Sequence, residues 1–376
     1  MSTLACRQRA IQPLVEGARG YRKAVGQYGA GGRSSVNDKT VAVFGATGFL
    51  GRYVTNQLGR AGTRCHVPNR GCEMDIRRTK VQFDLGQVVF PWYSSSDEES
   101  MRAAIGDADT VVNLIGKYYE TKHLCFTRKP DGSISRINSS FENANIDIPV
   151  MLARAAKAQG VKNFVHVSAL AADLDSPSRW ARTKAQGELA VREVFPEATI
   201  VRPARLFGND DRLLTWIAFM ATRLSRVPVV NDGENLIQPI DARNVAQVMM
   251  KIIDDPENYD YRGKVVELAG PGEFSWREIV DLVLDTTYRS ADTDAGGMSS
   301  LEAKVWGTAL EMFPKPMFTA DEALQMSVDV VQKPDTGALT IEDFGIPKMF
   351  KLEECAISVV RRFRRVQHFG FVKGYH

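Results

Sequence analysis

An α/β fold, built on a Rossmann-type doubly wound parallel sheet with a smaller α-rich C-terminal lobe, follows from three features of the sequence. A glycine loop joins a short β-rich run to an amphipathic helix, apolar runs then alternate with helical stretches, and after Gly208 the sequence turns mostly helical. Strands that alternate with helices imply parallel pairing through right-handed crossovers.

Thr40 to Phe44 (TVAVF) is the first strand, and the helix after it places Phe49, Leu50, Val54 and Leu58 at helical spacing before stopping at Gly62. RCHVP, VQFDL with VVFPWY, TVVNLIG, FVHVSAL and TIVRPARLFG supply the following strands, each trailed by polar or helical sequence. Thr127 to Phe141 breaks the rhythm with Pro, Gly and Ser and reads as a surface loop or hairpin. Beyond Gly208, WIAFMATRL, VAQVMMKIID, WREIVDLVLD, LEAKVWGTALEMF and DEALQMSVDVV read as helices, with PIDA and KVVELAG as short strands between them. The chain thus divides into an N-terminal extension over 1–37, a Rossmann domain over 38–208, and a lobe over 209–376 interleaved with it.

Composition bounds the function. Of 376 residues, 44% are hydrophobic and 25% charged, which excludes a disordered or collagen-like chain. The 48 Lys and Arg against 45 Asp and Glu leave a net charge of +3, too small to argue for nucleic acid as the main partner. Five cysteines, without a CxxC pair or a His-rich neighbourhood, read as reduced thiols with neither a metal site nor a disulfide framework. The most apolar stretch, Leu213 to Val230, is broken by Arg223 and Arg226 and falls short of the ~18 apolar residues needed to span a bilayer. The N-terminal extension carries Arg7, Arg9, Arg19, Arg22, Lys23 and Arg33 against one acid, Glu16. That composition reads as a mitochondrial transit peptide, with a basic tail as the alternative.

Gly45, Gly48 and Gly51 form a GxxGxxG loop between strand and helix. The first permits a tight turn, the second a close approach to a pyrophosphate, and the third close packing of helix on strand. The helix N-terminus offers free N–H groups and the positive end of its dipole to the phosphates. At the end of the second strand an acid would take the ribose hydroxyl of NAD, whereas an Arg accommodates the 2′-phosphate of NADP. Arg70 stands there with no acid before Glu73, which favours NADPH, with Arg77 or Arg78 as helpers.

GATGFLG, NLIG, HVSAL and RPARLFG occur in the order and rough spacing of the short-chain dehydrogenase/reductase superfamily, whose extended or atypical branch the chain resembles. In active members of that superfamily a Ser after the fifth strand and a Tyr-x-x-x-Lys helix carry proton transfer coupled to hydride transfer. By this resemblance Ser168 and Lys184 hold those positions, and Trp180 stands where the Tyr belongs. An indole N–H only donates hydrogen bonds, so Trp180 serves as neither acid nor base. Such catalysis contributes about 10² to 10⁴ in rate, and its loss argues against an efficient reductase. Tyr118 and Lys122 also spell Tyr-x-x-x-Lys, but they precede Ser168. That is the wrong chain order for the superfamily's catalytic helix, and Tyr118 is expected to pack over the cofactor cleft or cap the loop.

A narrower resemblance is carried by VFGATGFLGRYVTNQLGRAG, FDLGQVVF, VVNLIGKYYETK, VREVFPEATIVRPARLFGNDDR, IEDFGIP and ISVVRRFRR. These look like the family of NADPH-binding accessory subunits of mitochondrial respiratory complex I. The resemblance implies a tightly held NADPH without turnover and a structural or regulatory role on the matrix arm. It further implies a place at the matrix side of the inner membrane near the quinone site, with other complex I subunits as partners. Residue by residue, it assigns Gly45, Thr47, Gly48, Phe49, Leu50, Gly51 and Arg70 to the cofactor. It sets Leu114, Ile115 and Gly116 under the ribose, and Ser168, Lys184 and Pro203 on the nicotinamide side. Three departures are Ser94, where many members have an Asp that helps seat the adenine, Trp180 in place of the Tyr, and the Thr127 to Phe141 insertion.

Leu352, Cys355, Ala356, Val359, Val360, Phe363 and Val366 fall on helical spacing, with Arg361, Arg362, Arg364 and Arg365 on the other side. A basic amphipathic helix of that kind suits an anionic lipid surface or an acidic partner, or packs on its own domain. Against the accessory-subunit reading stand an active NADPH-dependent reductase or epimerase, which needs another proton donor, and an organellar RNA-binding or assembly factor, which the near-neutral charge does not support.

Overall fold

The structure is a computed structural model that describes residues 37–71, 73–128, 134–254, 261–313, 316–333 and 336–365; side chains are described for all of these except 73 and 121–139. The basic N-terminal extension lies outside the described residues, apart from Asn37.

The first strand, β1 (Thr40–Phe44), is buried at every position. Val41 and Val43 point to one core and Ala42 and Phe44 to another, as a strand covered on both faces requires. Then follow α1 (Phe49–Ala61), β2 (Arg64–His66), α2 (Glu73–Lys80), β3 (Val88–Val89), α3 (Glu98–Ile105) and β4 (Thr110–Asn113). A hairpin of β5 (Thr121–Arg128) and β6 (Ile134–Ser139) comes next, antiparallel, on the stretch read as a loop or hairpin. A short π-helical turn, Asn143–Asp147, leads into α4 (Ile148–Gln159), followed by β7 (Asn163–Val167), α5 (Arg179–Val194) and β8 (Thr199–Pro203).

Beyond β8 the chain forms β9 (Leu206–Phe207), α6 (Leu214–Arg223), β10 (Arg226–Val230), β11 (Leu236–Ile237), β12 (Ile240–Asp241), α7 (Ala242–Asp254), β13 (Val265–Leu268) and β14 (Phe274–Ser275). It ends with α8 (Trp276–Thr286), β15 (Asp294–Met298), α9 (Ser300–Leu310), α10 (Ala320–Met326) and α11 (Leu352–Val360). Seven strands make the central parallel sheet in the order β13-β8-β7-β4-β1-β2-β3. One face is covered by α1 and α7, through Val54, Leu58, Val245 and Met249, and the other by α3, α4 and α5, through Met101, Leu152 and Val191. A separate core in the lobe joins α6, α8 and α11 around Ile217, Ile279 and Val360.

Three segments depart from the sequence reading. VQFDL is a turn rather than a strand: Val81 and Leu85 are exposed, Gly86 takes a φ of +79°, and pairing begins only at Val88. DEALQMSVDVV is helical only to Met326. Its β-branched remainder leaves the helix, and Val330 donates from its backbone N–H to the Leu236 carbonyl (2.8 Å), which sets it against β11. The C-terminal amphipathic helix stops at Val360, before the arginines, which fall in a 3₁₀ turn and the extended chain after it. There Arg362 pairs with Asp210 (2.8 Å) and Arg365 with Asp292 (2.6 Å). Arg364 is buried, donating to the Thr286 carbonyl (2.8 Å) over the Tyr288 ring. Arg364 is therefore turned into the chain's own lobe while Arg361, Arg362 and Arg365 stay exposed, and Val366 lies outside the described residues.

Candidate functional site

The sheet order reverses at β1, which has β2 on one side and β4 on the other, and a crevice opens at the carboxyl ends of these two neighbours. In open α/β sheets that switch point is where ligands bind. The glycine loop leaves β1 and the Leu114–Gly116 segment leaves β4, so both line it. Gly45 has a φ of +85°, and a Cβ there would lie 2.8 Å from the Leu114 carbonyl carbon; a Cβ at Gly51 would lie 2.5 Å from the Gly45 oxygen. These contacts hold the loop flat against the strand end. Helix α1 has no side-chain cap at Gly48 and no acid in its first turn, which leaves its N-terminus open to an anion.

The thirteen residues assigned to the cofactor by the resemblance all line this crevice, in two halves that share Gly45, Gly48, Leu114 and Gly116. One half takes Thr47, Arg70 and Ile115; the other takes Phe49, Leu50, Gly51, Ser168, Lys184 and Pro203. Arg78 joins Arg70 and Arg52 in the first half, whereas Arg77 is not among its lining residues. Tyr93, buried edge-to-face against Phe44 (5.2 Å), closes that half, and Ser94 hydrogen-bonds Ser96 and Ser100 away from it.

On the other half α5 presents Lys184 from beneath. Its Nζ is buried and donates to the Val167 carbonyl at 3.4 Å, and a Cβ at Gly116 would stand 3.2 Å from it. Burial draws the ammonium down to about 8, with Glu188 one turn away opposing the shift. Ser168 is buried with its Oγ lacking a hydrogen-bond partner among the described residues. His166 under it is held neutral, its pKa drawn to about 3 by burial and by the Lys184 charge. The Asn113 amide oxygen accepts from the Ile115 N–H (3.0 Å), so its Nδ2 donates to His166 Nδ1 (3.0 Å), which puts the imidazole proton on Nε2.

Trp180, at the start of α5, lines the same half of the cleft. Its Nε1 donates to the Lys117 carbonyl (2.7 Å) and its ring stacks on Tyr118 (5.9 Å between centroids). Tyr118 therefore packs over the cleft, as expected, while the side chain of Lys122 lies outside those described. Helix α5 is fixed at its N-terminus from the lobe. The Asp321 carboxylate accepts from Ser178 Oγ (2.8 Å) and from the Arg179 (2.7 Å) and Trp180 (3.3 Å) N–H groups.

Sequence reasoning missed several members of the site. Asp75 lines the first half beside Arg70 and Arg78 and went unread because the search for an acid stopped at the strand end. Asp210, at a φ of +66°, lies on the border of both halves and pairs with Arg52 (3.3 Å) and Arg362 (2.8 Å); GNDD after the strand RPARLF was its only local signal. Asp321 and Trp276 come from parts of the chain with no motif at all, and Arg205 and Arg212 lie within RPARLFGNDDR but were given no role.

The residues present suit a dinucleotide. The glycine cradle excludes side chains where a backbone approach is needed, a helix N-terminus is open, and a lysine and an unpartnered serine hydroxyl stand on the far side. Comparison with known proteins agrees. Residues 41–268 match the model of the NAD dependent epimerase/dehydratase family. The chain is 36% identical over 349 residues to mouse NADH dehydrogenase [ubiquinone] 1 alpha subcomplex subunit 9, mitochondrial, covering 92% of this chain and 86% of that one. It is 34% identical to the NADH-ubiquinone oxidoreductase 40 kDa subunit of Neurospora crassa, over 84% of this chain and 77% of that one. In fold it is similar to UDP-glucose 4-epimerase of Thermus thermophilus in complex with NAD, with a TM-score of 0.59 at 14% identity over 87% of this chain and 99% of that one. The chain belongs to the NAD-dependent epimerase/dehydratase family and, within it, to the family of the mitochondrial NADH dehydrogenase alpha subcomplex subunit 9 proteins.

Proposed function

We propose that the chain is an accessory subunit of mitochondrial complex I that holds NADPH as a structural or regulatory cofactor and does not turn it over. The observation that carries this reading is Trp180. The cleft offers every other feature of a reductase, yet the side chain at the proton-donor position is an indole already committed to the Lys117 carbonyl. A bound NADPH supplies hydride-transfer chemistry; here Lys184 and Ser168 hold its ribose and nicotinamide side, and no group at Trp180 delivers the proton. Arg70 and Arg78, with Arg52 beside the glycine loop, give the adenosine half a cationic excess over Asp75 and Asp210 that suits a 2′-phosphate.

The relatives named above are complex I subunits, and the lobe offers a surface that suits assembly. Leu301, Val305 and Trp306 on α9, with Met312 and Phe313 just after it, are all more than half exposed. An apolar patch of that kind on a folded chain marks an interface. Among the described residues no helix is long and apolar enough to cross a membrane, so attachment on the matrix side of the inner membrane would be peripheral, through other subunits. The alternative, an active reductase or epimerase, is favoured by one observation, the Tyr118 phenol stacked on Trp180 within the same cleft.

The test is native gel separation of gently solubilised mitochondrial membranes from cells carrying the wild type or Trp306→Lys. Wild-type chain is expected to migrate with the large NADH dehydrogenase assembly, and the variant to fall largely into a free pool. A wild-type chain found only as a free soluble protein overturns the reading.

A further inference from the structure

Past Ser168, Lys184 and Pro203 the cleft continues into the lobe as part of a cavity of about 310 Å³. Leu213, Ile237 and Val330 wall this outer chamber, and none of the features assigned above to a dinucleotide lies in it. Two guanidinium groups reach it. Arg205 lies over the ring of Trp276, 4.8 Å from its centroid, and Arg212 over the ring of Tyr118 at 5.3 Å. Both turn to a single buried carboxylate, Glu322, and both through the same oxygen, at 3.9 Å from Arg205 and 2.8 Å from Arg212. The two guanidinium groups thus share one carboxylate oxygen. The other nearby carboxylates are engaged elsewhere: Asp210 with Arg52 and Arg362, and Asp211 with the N–H groups of Leu214 and Thr215 that start α6.

A second, independent observation points the same way. Trp276 is only 2% exposed and lines the cavity, and its indole Nε1 has no hydrogen-bond partner among the described residues; nor has Arg212 Nε. Buried donors left unpaired destabilise a fold, so folds retain them where something else accepts. Leu213, Ile237 and Val330 give the chamber an apolar wall beside these donors, and the unmatched acceptor of the cluster is Oε2 of the Glu322 carboxylate that the arginines share.

We propose that this outer chamber binds a small amphipathic monocarboxylate. Its carboxylate accepts from Arg205 and Arg212, with the Trp276 N–H as a further donor, and its hydrocarbon body lies along Leu213, Ile237 and Val330. The apolar wall beside the two guanidinium groups suits an anion that carries a hydrocarbon body, and inorganic phosphate has none to lay along it. Planar guanidinium forks suit the two oxygens of a carboxylate. The site goes beyond the accessory-subunit reading and stands or falls separately from it, since binding requires neither turnover nor assembly.

The experiment is titration calorimetry of the full chain loaded with NADPH, using octanoate, octanamide and inorganic phosphate as probes. Octanoate is expected to bind at least tenfold more tightly than octanamide, and phosphate not to compete with it. Arg212→Gln is expected to weaken octanoate tenfold or more while NADPH is retained. Should that variant not fold, Trp276→Phe keeps the aromatic wall, removes the N–H and is expected to weaken octanoate severalfold. Equal binding of octanoate and octanamide, no binding of octanoate, displacement of octanoate by phosphate, or unchanged octanoate affinity in both variants each overturns the proposal.

Discussion

Lys184 shows how much of the site rests on one side chain held against its own chemistry. A buried ammonium with one long hydrogen bond is disfavoured, and its pKa near 8, below the ordinary 10.5, measures that. Between those values the unfolded chain binds more protons than the folded one, so stability rises with pH. The cost is fully present below pH 8 and fades toward pH 10.5. Lys184→Met should therefore stabilise the nucleotide-free protein at pH 7 by about 1–3 kcal/mol, with the gain shrinking above pH 9, and should weaken nucleotide binding. Urea denaturation at the two pH values, beside a nucleotide titration, checks both parts; a variant less stable at pH 7 with unchanged binding contradicts this account. Lys184, Ser168 and Trp180 were singled out through the family resemblance, and the structure brings all three to the cleft. Asp75 was not, because helix α2 brings it back to the cleft from beyond the strand end where the ribose-reading acid is sought.

At the scale of elements, the position of Trp180 and Lys184 depends on α5, and α5 is capped from outside its own domain. Its own Ser178 accepts from the Ala181 N–H (3.3 Å), and Asp321 of the lobe takes the Arg179 and Trp180 N–H groups. A carboxylate at a helix N-terminus satisfies orphan donors and opposes the positive end of the dipole. Asp321→Ala is expected to lower stability by about 1–2 kcal/mol and to raise amide exchange over the first turn of α5, read by denaturation and hydrogen exchange. Unchanged exchange there would contradict the coupling. Local sequence could not show this, since the partners lie 142 residues apart. What was legible at this scale were elements with a strong period and punctuation, such as β1, α1 and its Gly62 stop in the left-handed region. VQFDL failed because an apolar alternation says nothing of whether a neighbouring strand is there to pair with it. The C-terminal arginines failed because helical spacing was extended past Val360 into a segment whose geometry is set by Asp210, Asp292 and Tyr288.

For the molecule as a whole, the doubly wound sheet was legible from the alternation of strands and helices, and its closure was not. The seventh strand, β13, and the covering helix α7 come from sequence after Gly208, where the alternation is weakest. They return because β13 extends the sheet beyond β8, tied across by Arg202 to Glu188 (2.6 Å) and Glu267 (3.1 Å). The lobe so joined to the sheet closes over the cleft, and Arg205, Arg212 and Trp276 stand in its outer wall. A ligand held in such a closed cleft stabilises the fold by mass action, which is how a resident nucleotide contributes without turnover.

The central claim is that this cleft retains NADPH, and the most direct measurement is to denature the chain isolated natively from its source and identify the nucleotide released, for wild type and Arg70→Asp. The account predicts close to one NADPH per wild-type chain, still reduced after incubation without added reductant, and a loss of NADPH retention in the variant far greater than any loss of NADH binding. Release of NAD⁺ or of no nucleotide from the wild type, or equal losses for both nucleotides in Arg70→Asp, would contradict it.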